Sequence, residues 1–543
     1  MLTTVNRKLV LLIVFAFILS VAVSACAPEE ETVDEPGEPG ETREGGTLVI
    51  GRATEGDTLD PHRTLAAASS AVFTQILDTL IVVDTDMTFQ PGLAEDWDIS
   101  EDGLTYTFHL RDDVNFHDGP PVNAEAVKFT FDRIMDETEV APCLDQLGPL
   151  VDVEVVDDYT ISFTHSEPFA PFLYNLSVAY LGILSPTAVE EYGEDFGQNP
   201  VGSGPFMFEE WIPGERTVLV RNPDYVQRYP YADNPGPPYV EKLVFRTISE
   251  DQTLVASLET GEVHMGTPPL AEVSRLEDDP DFNMYYTEGG TQFYYLEFVW
   301  KKWPFDDIRV RQAVAHAIDR SEFITVAFEE MAKEIKSPMP PAIMGYSEEV
   351  GEQYGFDHDL EKAKSLLAQA GWEDVDGDGI LDKDGEAFSV IYYTWDDPRQ
   401  QRSAQLVQNH LSKVGIEVNI ESMEIGTLFA KQPEQNHHMN IMGWSWGEPT
   451  ILTMMWADYR NMGIYDVDVD NPPLAELLKK ADTTPQPEER MKYIEEIQKI
   501  TLEDALIIPI CSPKNVVAVR EEVKDFKFGP YGRWFYGDIW IDE

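Results

Sequence analysis

Basic residues are scarce in this sequence, whose 543 residues include 39 lysines and arginines against 99 aspartates and glutamates. The formal net charge of −60 repels nucleic acid and anionic lipid, so neither is expected as a partner. Such acidity could attract cationic ligands, but acids spread along the whole chain are more typical of a solvated surface in an extracytoplasmic or salty environment.

Catalytic signatures are missing as well, since no G-x-S-x-G, no H-E-x-x-H and no Cys/His nucleophile motif occurs. With 99 acids some acid/base pair can always be found, so their abundance does not support a hydrolase. We therefore expect a protein that is not an enzyme, with a secreted hydrolase as the alternative. Sequence repeats are also absent, which disfavours a pure adhesion or scaffold protein.

Long hydrophobic runs are limited to one, Leu9–Val23, which follows Arg7 and Lys8. It is short for a bilayer span and is flanked like a secretion signal, so residues 1–25 predict a signal peptide and an exported protein. The run ends in Val23-Ser24-Ala25-Cys26, which resembles a bacterial lipobox. That resemblance implies that Cys26 is lipidated and anchors the protein to the outer face of the cell membrane. The alternative is ordinary signal cleavage beside an incidental cysteine.

Cysteine is otherwise limited to Cys143 and Cys511. Because they are distant in sequence, they form a disulfide only if the fold brings them together. Residues 26–46 are acidic and lack aromatic side chains, which predicts a flexible tether. The remaining chain of about 500 residues exceeds what one hydrophobic core usually supports, so at least two domains are expected.

Alternating and helical patterns predict a mixed α/β protein. A strand is expected over Leu104–Leu110, and a helix capped by Asn123 over Ala124–Met135. Further along, Thr291–Phe298 predicts a buried aromatic strand. The pattern of residues 388–394, 398–414 and 416–420 predicts a β-α-β unit, which implies a layered α/β domain.

An aspartate-rich turn begins like a calcium loop, with Asp374, Asp376 and Asp378 at positions 1, 3 and 5 and Gly379 at position 6. The match fails at position 12, where Gly385 replaces the bidentate glutamate. A plain structural turn is therefore favoured, and a calcium site is the alternative. No other cofactor is expected.

Tryptophans mark the candidate ligand site. Trp444 and Trp446 are two residues apart, which places them on one face where a predicted strand enters a loop, beside Glu448. Indole rings suit stacking on sugars or enclosing peptide side chains. The alternative is that both rings fill the core.

Several motifs together resemble the family 5 solute-binding proteins, the peptide, nickel and oligosaccharide receptors of ABC importers. They are LA-x-x-W from Leu93, DG-x-x-Y-x-F-x-LR from Asp102, F-x-DG-x-P-V-x-A-x-x-V from Phe116, G-S-G-P-F from Gly202 and PFDDIRVRQAVAHAIDR from Pro304.

The resemblance implies a two-lobed periplasmic-binding-protein-like α/β fold that closes by a hinge on its ligand. Lobe 1 is expected over residues 47–285 with an inserted subdomain at about 86–190, lobe 2 over 286–504, and a C-terminal return to lobe 1 over 505–543. Such a receptor acts, as a monomer, with a membrane permease and its ATPase. The candidate ligand-binding residues are Trp444, Trp446, Glu448, Trp395, Arg399 and Tyr294.

Ligand class stays open at this point. Dipeptide receptors of this family place an aspartate after the tryptophan and some place an arginine at the end of a preceding strand, but here Gly447 and Thr394 stand at those positions. Peptides remain the leading expectation, with Glu448 as the acceptor for a ligand ammonium, and oligosaccharides are the alternative. Nickel chelates are less favoured, because the adjacent His437 and His438 would diverge on a strand.

Overall fold

Two large β-sheets with helices on their faces organise the computed structural model, which describes residues 43–136, 141–445, 447–456 and 471–542. In chain order the strands are β1 (Thr47–Arg52), β2 (Ile81–Val83), β3 (Phe89–Pro91), β4 (Ala94–Ile99), β5 (Thr105–Leu110), β6 (Leu150–Asp157), β7 (Thr160–His165), β8 (Phe206–Ile212), β9 (Arg216–Arg221), β10 (Lys242–Thr247), β11 (Met265–Gly266), β12 (Phe282–Tyr286), β13 (Gln292–Phe298), β14 (Ala332–Glu334), β15 (Asp382–Lys383), β16 (Glu386–Ala387), β17 (Ser389–Trp395), β18 (Glu417–Met423), β19 (Met439–Ser445), β20 (Ile507–Pro513), β21 (Val516–Arg520), β22 (Val523–Lys524), β23 (Lys527–Phe528), β24 (Trp534–Phe535) and β25 (Trp540–Ile541). The α-helices are α1 (Ala67–Phe73), α2 (Ala124–Met135), α3 (Phe172–Leu176), α4 (Pro186–Tyr192), α5 (Asp251–Glu259), α6 (Leu270–Glu277), α7 (Ile308–Ala317), α8 (Arg320–Glu322), α9 (Glu348–Tyr354), α10 (Leu360–Gln369), α11 (Pro398–Ser412), α12 (Ile425–Lys431), α13 (Ile451–Trp456), α14 (Pro472–Thr483) and α15 (Pro487–Glu503).

The first large sheet builds lobe 1, with strand order β12-β21-β11-β1-β10-β9-β8. Strand β1 runs parallel to β10 and β11, and its alternate residues Leu48 and Ile50 are fully buried. Each such side chain contributes about 1.5–3 kcal/mol by leaving water. The late strand β21 completes the sheet beside β11 and β12, so the C-terminal part of the chain belongs to lobe 1.

The predicted tether ends earlier than residue 46. Arg43 lies 3.7 Å from the carboxylate of Asp525, and the N–H of Gly45 donates to the carbonyl of Tyr239. These contacts fasten residues 43–46 to lobe 1, and they involve partners that a local composition pattern cannot indicate. Residues 1–42, which include the predicted signal peptide and Cys26, lie outside the described residues.

An inserted subdomain interrupts lobe 1 and contains the sheet β4-β5-β7-β6 and helix α2. The structure confirms the predicted helix Ala124–Met135, capped by the side chain of Asn123, which accepts from the N–H of Ala126. The hydrophobic core of the subdomain includes residues from Leu80 to Ile183, whereas the sequence predicts the insertion at about 86–190.

A buried polar cluster joins this subdomain to lobe 1. Arg133 of α2 donates to both carboxylate oxygens of Asp60 and to Nδ1 of His62. Burial opposes the ionisation of Asp60, but the Arg133 guanidinium outweighs burial and lowers the pKa of that carboxyl. The cluster therefore contains a charged pair at the contact between the inserted subdomain and lobe 1.

The second large sheet builds lobe 2, with strand order β14-β20-β13-β19-β17-β18. Both faces of β13 are covered, since Tyr294, Leu296 and Phe298 belong to one core and Phe293 and Tyr295 to another. Helices α7, α10 and α11 contribute to the first core, and α13, α14 and α15 to the second. The predicted β-α-β unit is confirmed as β17, α11 and β18, with β17 parallel to β18.

Two neighbouring segments connect the lobes, one between β12 and β13 and one between β20 and β21. They bond to each other, because the N–H of Thr287 donates to the carbonyl of Asn515 at 3.1 Å and the N–H of Asn515 donates to the hydroxyl of Thr287 at 2.9 Å. The predicted return at residue 505 is corrected to Lys514–Asn515, because β20 still belongs to the lobe 2 sheet. Apolar strands flank this crossing on both sides, so composition does not mark it.

The two described cysteines are unpaired. Cys143 is buried in the subdomain core and Cys511 in the first lobe 2 core, so the fold does not form the disulfide considered from sequence. Among the described residues, no helix is both long enough and apolar enough to cross a membrane.

Candidate ligand cleft

One edge of the lobe 2 sheet gathers several of the predicted ligand-binding residues. Gln292 at the start of β13 pairs with Ser445 at the end of the antiparallel strand β19. Strand β17 runs parallel to β19, so its last residue, Trp395, lies at the same edge as Trp444. Helix α11 begins directly after β17 and brings Arg399 to this edge.

The corresponding edge of lobe 1 contains a pocket of about 660 Å³. The pocket lies where the parallel strands β1 and β10 reach their carboxyl ends, which is a common place for ligands in α/β sheets. Its wall is formed by Ile50, Gly51, Arg52, Ala53, Ala67, Ser70, Ala71, Thr74, Gln75, Tyr180, Phe245, Asp251, Leu254, Thr267, Pro268, Pro269, Arg533, Trp534 and Tyr536.

Both edges border the segments that connect the lobes. In lobe 1, β21 starts where β11 ends, with Gly266 paired to Ala518. In lobe 2, β13 starts where β20 ends, with Tyr294 paired to Cys511. The pocket and the tryptophan-bearing edge are therefore the two walls of the candidate cleft, and a hinge at the connecting segments would change their separation.

Trp444 is part of a strand rather than of the predicted loop, since it is the last residue but one of β19. Trp444 and Trp395 are both half-buried and pack against the second lobe 2 core. Tyr295 belongs to the same core, and burial raises the pKa of its hydroxyl well above the usual range. Each ring is thus part core and part surface, and ligand binding by its exposed part stays a prediction. Trp446 lies outside the described residues.

Tyr294 and Arg399 both pack on Phe328. The Arg399 guanidinium lies 5.1 Å from the centre of the Phe328 ring, and the centres of the Tyr294 and Phe328 rings are 5.1 Å apart. Burial raises the pKa of Tyr294, which is only 9 % exposed. Arg399 is half-buried, so it is the more accessible member of the pair.

Glu448 already has a cationic partner. Its carboxylate forms an ion pair with Arg490, and its second oxygen accepts from the N–H of Thr450 at 2.6 Å. Arg490 also donates through Nε to the carbonyl of Ala481 at 2.7 Å. Since Glu448 is 2 % exposed and Arg490 is 4 % exposed, this carboxylate is not an open acceptor for a ligand ammonium.

The loop that carries Glu448 meets the inserted subdomain at Gly447. A Cβ added to Gly447 would lie 1.9 Å from the hydroxyl of Tyr174 on α3. Any larger residue at this position would therefore separate lobe 2 from Tyr174. The glycine that departs from the family's aspartate thus has a steric reason in this chain.

The predicted calcium loop is held by its own backbone. Carboxylate oxygens of Asp374, Asp376 and Asp382 lie within 4.8 Å of one another, so Asp382 takes the place predicted for Asp378. Asp378 instead accepts from the N–H of Ile380 at 2.8 Å. These contacts fit a structural turn, with the acids serving as local hydrogen-bond acceptors.

We expect EDTA to leave the melting temperature of the protein unchanged, because both carboxylate oxygens of Asp374 already accept from the N–H groups of Gly377 and Gly379. Differential scanning calorimetry with and without EDTA checks this expectation. A fall of several degrees that added calcium reverses would contradict it and make this turn a metal site.

The adjacent histidines considered for nickel make different contacts in lobe 2. The ring of His437 stacks on Tyr393 with centroids 4.7 Å apart, and Nδ1 of His438 accepts from the N–H of Ile391 at 3.0 Å. Within the described part of the chain, the candidate metal cluster is the aspartate turn, which contains no histidine.

Lobe 1 contributes cleft residues that the sequence did not single out. Tyr180, Arg533 and Trp534 line the pocket, and Tyr174 contacts the lobe 2 loop. The segment Tyr531–Tyr536 is dense in aromatic residues, which is the one local signal that could have indicated it.

Comparisons with known proteins agree with this architecture. Residues 88–466 match the family described as bacterial extracellular solute-binding proteins, family 5 Middle. The glutathione-binding protein GsiB of Salmonella typhi is 29% identical over 499 residues, which cover 89% of this chain and 92% of GsiB. The oligopeptide-binding protein AppA of Bacillus subtilis is 27% identical over 525 residues, which cover 94% of this chain and 95% of AppA. A structure of the ABC transporter-associated periplasmic binding protein DppA from Helicobacter pylori, in complex with the peptide STSA, is 31% identical with a TM-score of 0.68 and covers 92% of this chain and 99% of that chain.

Proposed function

Since this chain belongs to family 5 of the bacterial extracellular solute-binding proteins, we propose that it captures peptides outside the cytoplasm and delivers them to the permease of an ABC importer. It acts by binding and release rather than by catalysis. The observation that carries the proposal is the placement of a 660 Å³ pocket and an aromatic edge on opposite sides of the two connecting segments.

The choice of peptides rests on the relatives and on the cleft chemistry. GsiB, AppA and DppA are named or crystallised as binders of glutathione, oligopeptides and the peptide STSA. Half-buried indoles at Trp395 and Trp444 offer apolar surface for peptide side chains, while their inner faces are fixed by core packing. Oligosaccharide binding would need indole faces that stand free as platforms, which suits these packed rings less well.

We expect Trp444→Ala to weaken peptide binding by about 1–3 kcal/mol, because partly enclosed indoles are typical binding hot spots. The measurement first uses native mass spectrometry to select a peptide from a mixed pool and then isothermal titration calorimetry with that peptide. Trp303→Ala is the matched control, since Trp303 follows the opposite end of β13 and is 42% exposed.

Unchanged affinity in Trp444→Ala would remove this strand end from the site. The same titrations with β-linked oligosaccharides test the alternative ligand class. Binding of the wild type to sugars and to no peptide would contradict the peptide proposal.

A lipid anchor at Cys26 completes the proposal, because it would hold the receptor at the membrane beside its permease. We expect Cys26→Ala to release the protein into the medium or periplasm without changing its melting temperature. Fractionation of cells that express wild type and variant measures this release. Membrane retention of the variant equal to wild type would show that the anchor is elsewhere.

A further inference from the structure

Arginines in this acid-rich chain are normally paired. Half-buried Arg133, Arg228 and Arg246 form ion pairs with Asp60, Asp78 and Glu262 respectively. Arg52 and Arg320 are instead held by backbone carbonyls. With 99 carboxylates against 39 basic residues, an accessible arginine that lacks an acidic partner calls for a physical reason.

Arg399 and Arg533 are the exceptions, and both lie at the candidate cleft. Neither guanidinium has a carboxylate within 4.0 Å among the residues that the structure describes. Both are half-buried, so each retains partial access to solvent. Arg399 belongs to the lobe 2 edge and Arg533 lines the lobe 1 pocket.

Arg533 is held next to the connecting segments. A Cβ added to its neighbour Gly532, whose φ is +70°, would lie 2.6 Å from the side chain of Asn515. The Arg533 guanidinium lies 5.8 Å from the centre of the Tyr531 ring. The backbone position of this arginine is therefore fixed, while its charged end is not neutralised by a neighbouring acid.

Two of the acids near the lobe 1 pocket accept hydrogen bonds outside it. Glu55 accepts from the indole N–H of Trp211 and from the N–H of Gly214. Asp57 accepts from the hydroxyl groups of Thr64 and Ser69. Asp251, which also lines the pocket, is exposed and has no arginine within 4.0 Å in the described residues. The pocket wall thus contains two arginines, Arg52 and Arg533, and one carboxylate, Asp251.

On the basis of the proposed function, we infer that the preferred ligands are acidic peptides with two carboxylates, one bound by Arg533 of lobe 1 and the other by Arg399 of lobe 2. A guanidinium binds a carboxylate through two parallel hydrogen bonds, which fixes orientation as well as charge. A ligand held from both walls stabilises the closed cleft, and exclusion of water strengthens both ion pairs. Because Glu448 is paired with Arg490, Arg533 and Arg399 set the charge preference for the ligand.

The test uses two pools of pentapeptides that are identical except for one position, which is glutamate in the first pool and glutamine in the second. We expect the wild type to bind the glutamate pool at least about tenfold more tightly, with a preference that weakens as salt is added. Of the variants Arg533→Gln and Arg399→Gln, the one that removes the partner of the glutamate side chain should reduce affinity for the glutamate pool about tenfold and change affinity for the glutamine pool by less than about threefold. The other variant removes the partner of the terminal carboxylate, which both pools share, and should reduce affinity for both pools about tenfold.

Arg402→Gln is the matched control, because Arg402 lies on the same helix as Arg399 and already pairs with Glu329 at 3.3 Å. Its charge preference should equal that of the wild type. Equal wild-type affinity for the two pools, or a glutamate preference that survives in both Arg533→Gln and Arg399→Gln, would overturn the inference while leaving peptide binding intact. Failure of the wild type to bind either pool would instead contradict the proposed function, and the inference would fall with it.

Discussion

Replacing Arg490 by methionine should lower the free energy of unfolding by about 3–5 kcal/mol, because the substitution leaves the Glu448 carboxylate buried without its cation. The two side chains are 4 % and 2 % exposed, so water cannot replace the lost partner. The carbonyl of Ala481, which accepts from Arg490, would also lose its donor. Urea denaturation followed by tryptophan fluorescence measures the change.

The double variant Glu448→Gln/Arg490→Met should be more stable than Arg490→Met alone, since it removes the stranded charge. Lys480→Met is the surface control, because the pair Lys480–Glu476 is exposed and its loss should barely move the denaturation midpoint. A loss below about 1 kcal/mol in Arg490→Met would mean that this pair does not support lobe 2.

The single variant Glu448→Gln separates two roles of Glu448. If the residue binds a peptide ammonium as the sequence predicts, Glu448→Gln should reduce affinity by about 2–5 kcal/mol. If its role is the ion pair with Arg490, stability should fall while the affinity of the folded protein changes little. Isothermal titration calorimetry on the folded variant measures the affinity and so distinguishes these outcomes.

Elements with local signals were predictable from the sequence. Helix α2 has its cap, Asn123, and its apolar spacing within one short segment, so the predicted bounds agree with the structure. The unit β17-α11-β18 likewise combines apolar strands with a glycine, Gly415, after the helix. Hydrophobic periodicity and caps depend on neighbouring residues, which a single sequence contains.

The cleft was less predictable because its partners are distant in the chain. Arg490 neutralises Glu448 from another helix, and Arg533 reaches the pocket beside Arg52 only because β21 returns to lobe 1. The crossing at Lys514–Asn515 has apolar strands on both sides. Each of these features depends on contacts between residues that are distant in sequence, and the spacing of residues along the chain does not indicate such contacts.

Acidification should weaken the joint between lobe 1 and the inserted subdomain through His62. This side chain is 2% exposed, and its Nδ1 accepts from Arg133. Burial is the main cause that lowers the pKa of His62 from 6.5 to about 3, and the adjacent Arg133 charge acts in the same direction. In the folded protein the imidazole therefore stays neutral at a pH where the unfolded chain takes up a proton.

The sign of the effect follows from proton binding. Between the ordinary histidine pKa of 6.5 and the folded value of about 3, the unfolded state binds more protons, so stability falls as the pH falls. The His62→Asn variant keeps an acceptor for Arg133 but cannot titrate. From about pH 7 to about pH 4.5, the wild type should lose roughly 2–3 kcal/mol more unfolding free energy than His62→Asn does.

Urea denaturation of both proteins across this pH range checks the difference, and the comparison at about pH 7 serves as the internal control because the neutral form is shared by both states there. The low pKa of Asp60 places the titration of its carboxyl below the range, so the ion pair with Arg133 stays intact throughout. The other titrating groups are common to both proteins and cancel in the difference. Parallel pH profiles for wild type and His62→Asn would show that His62 takes up its proton in the folded state, and the buried joint would then have to tolerate a cation beside Arg133.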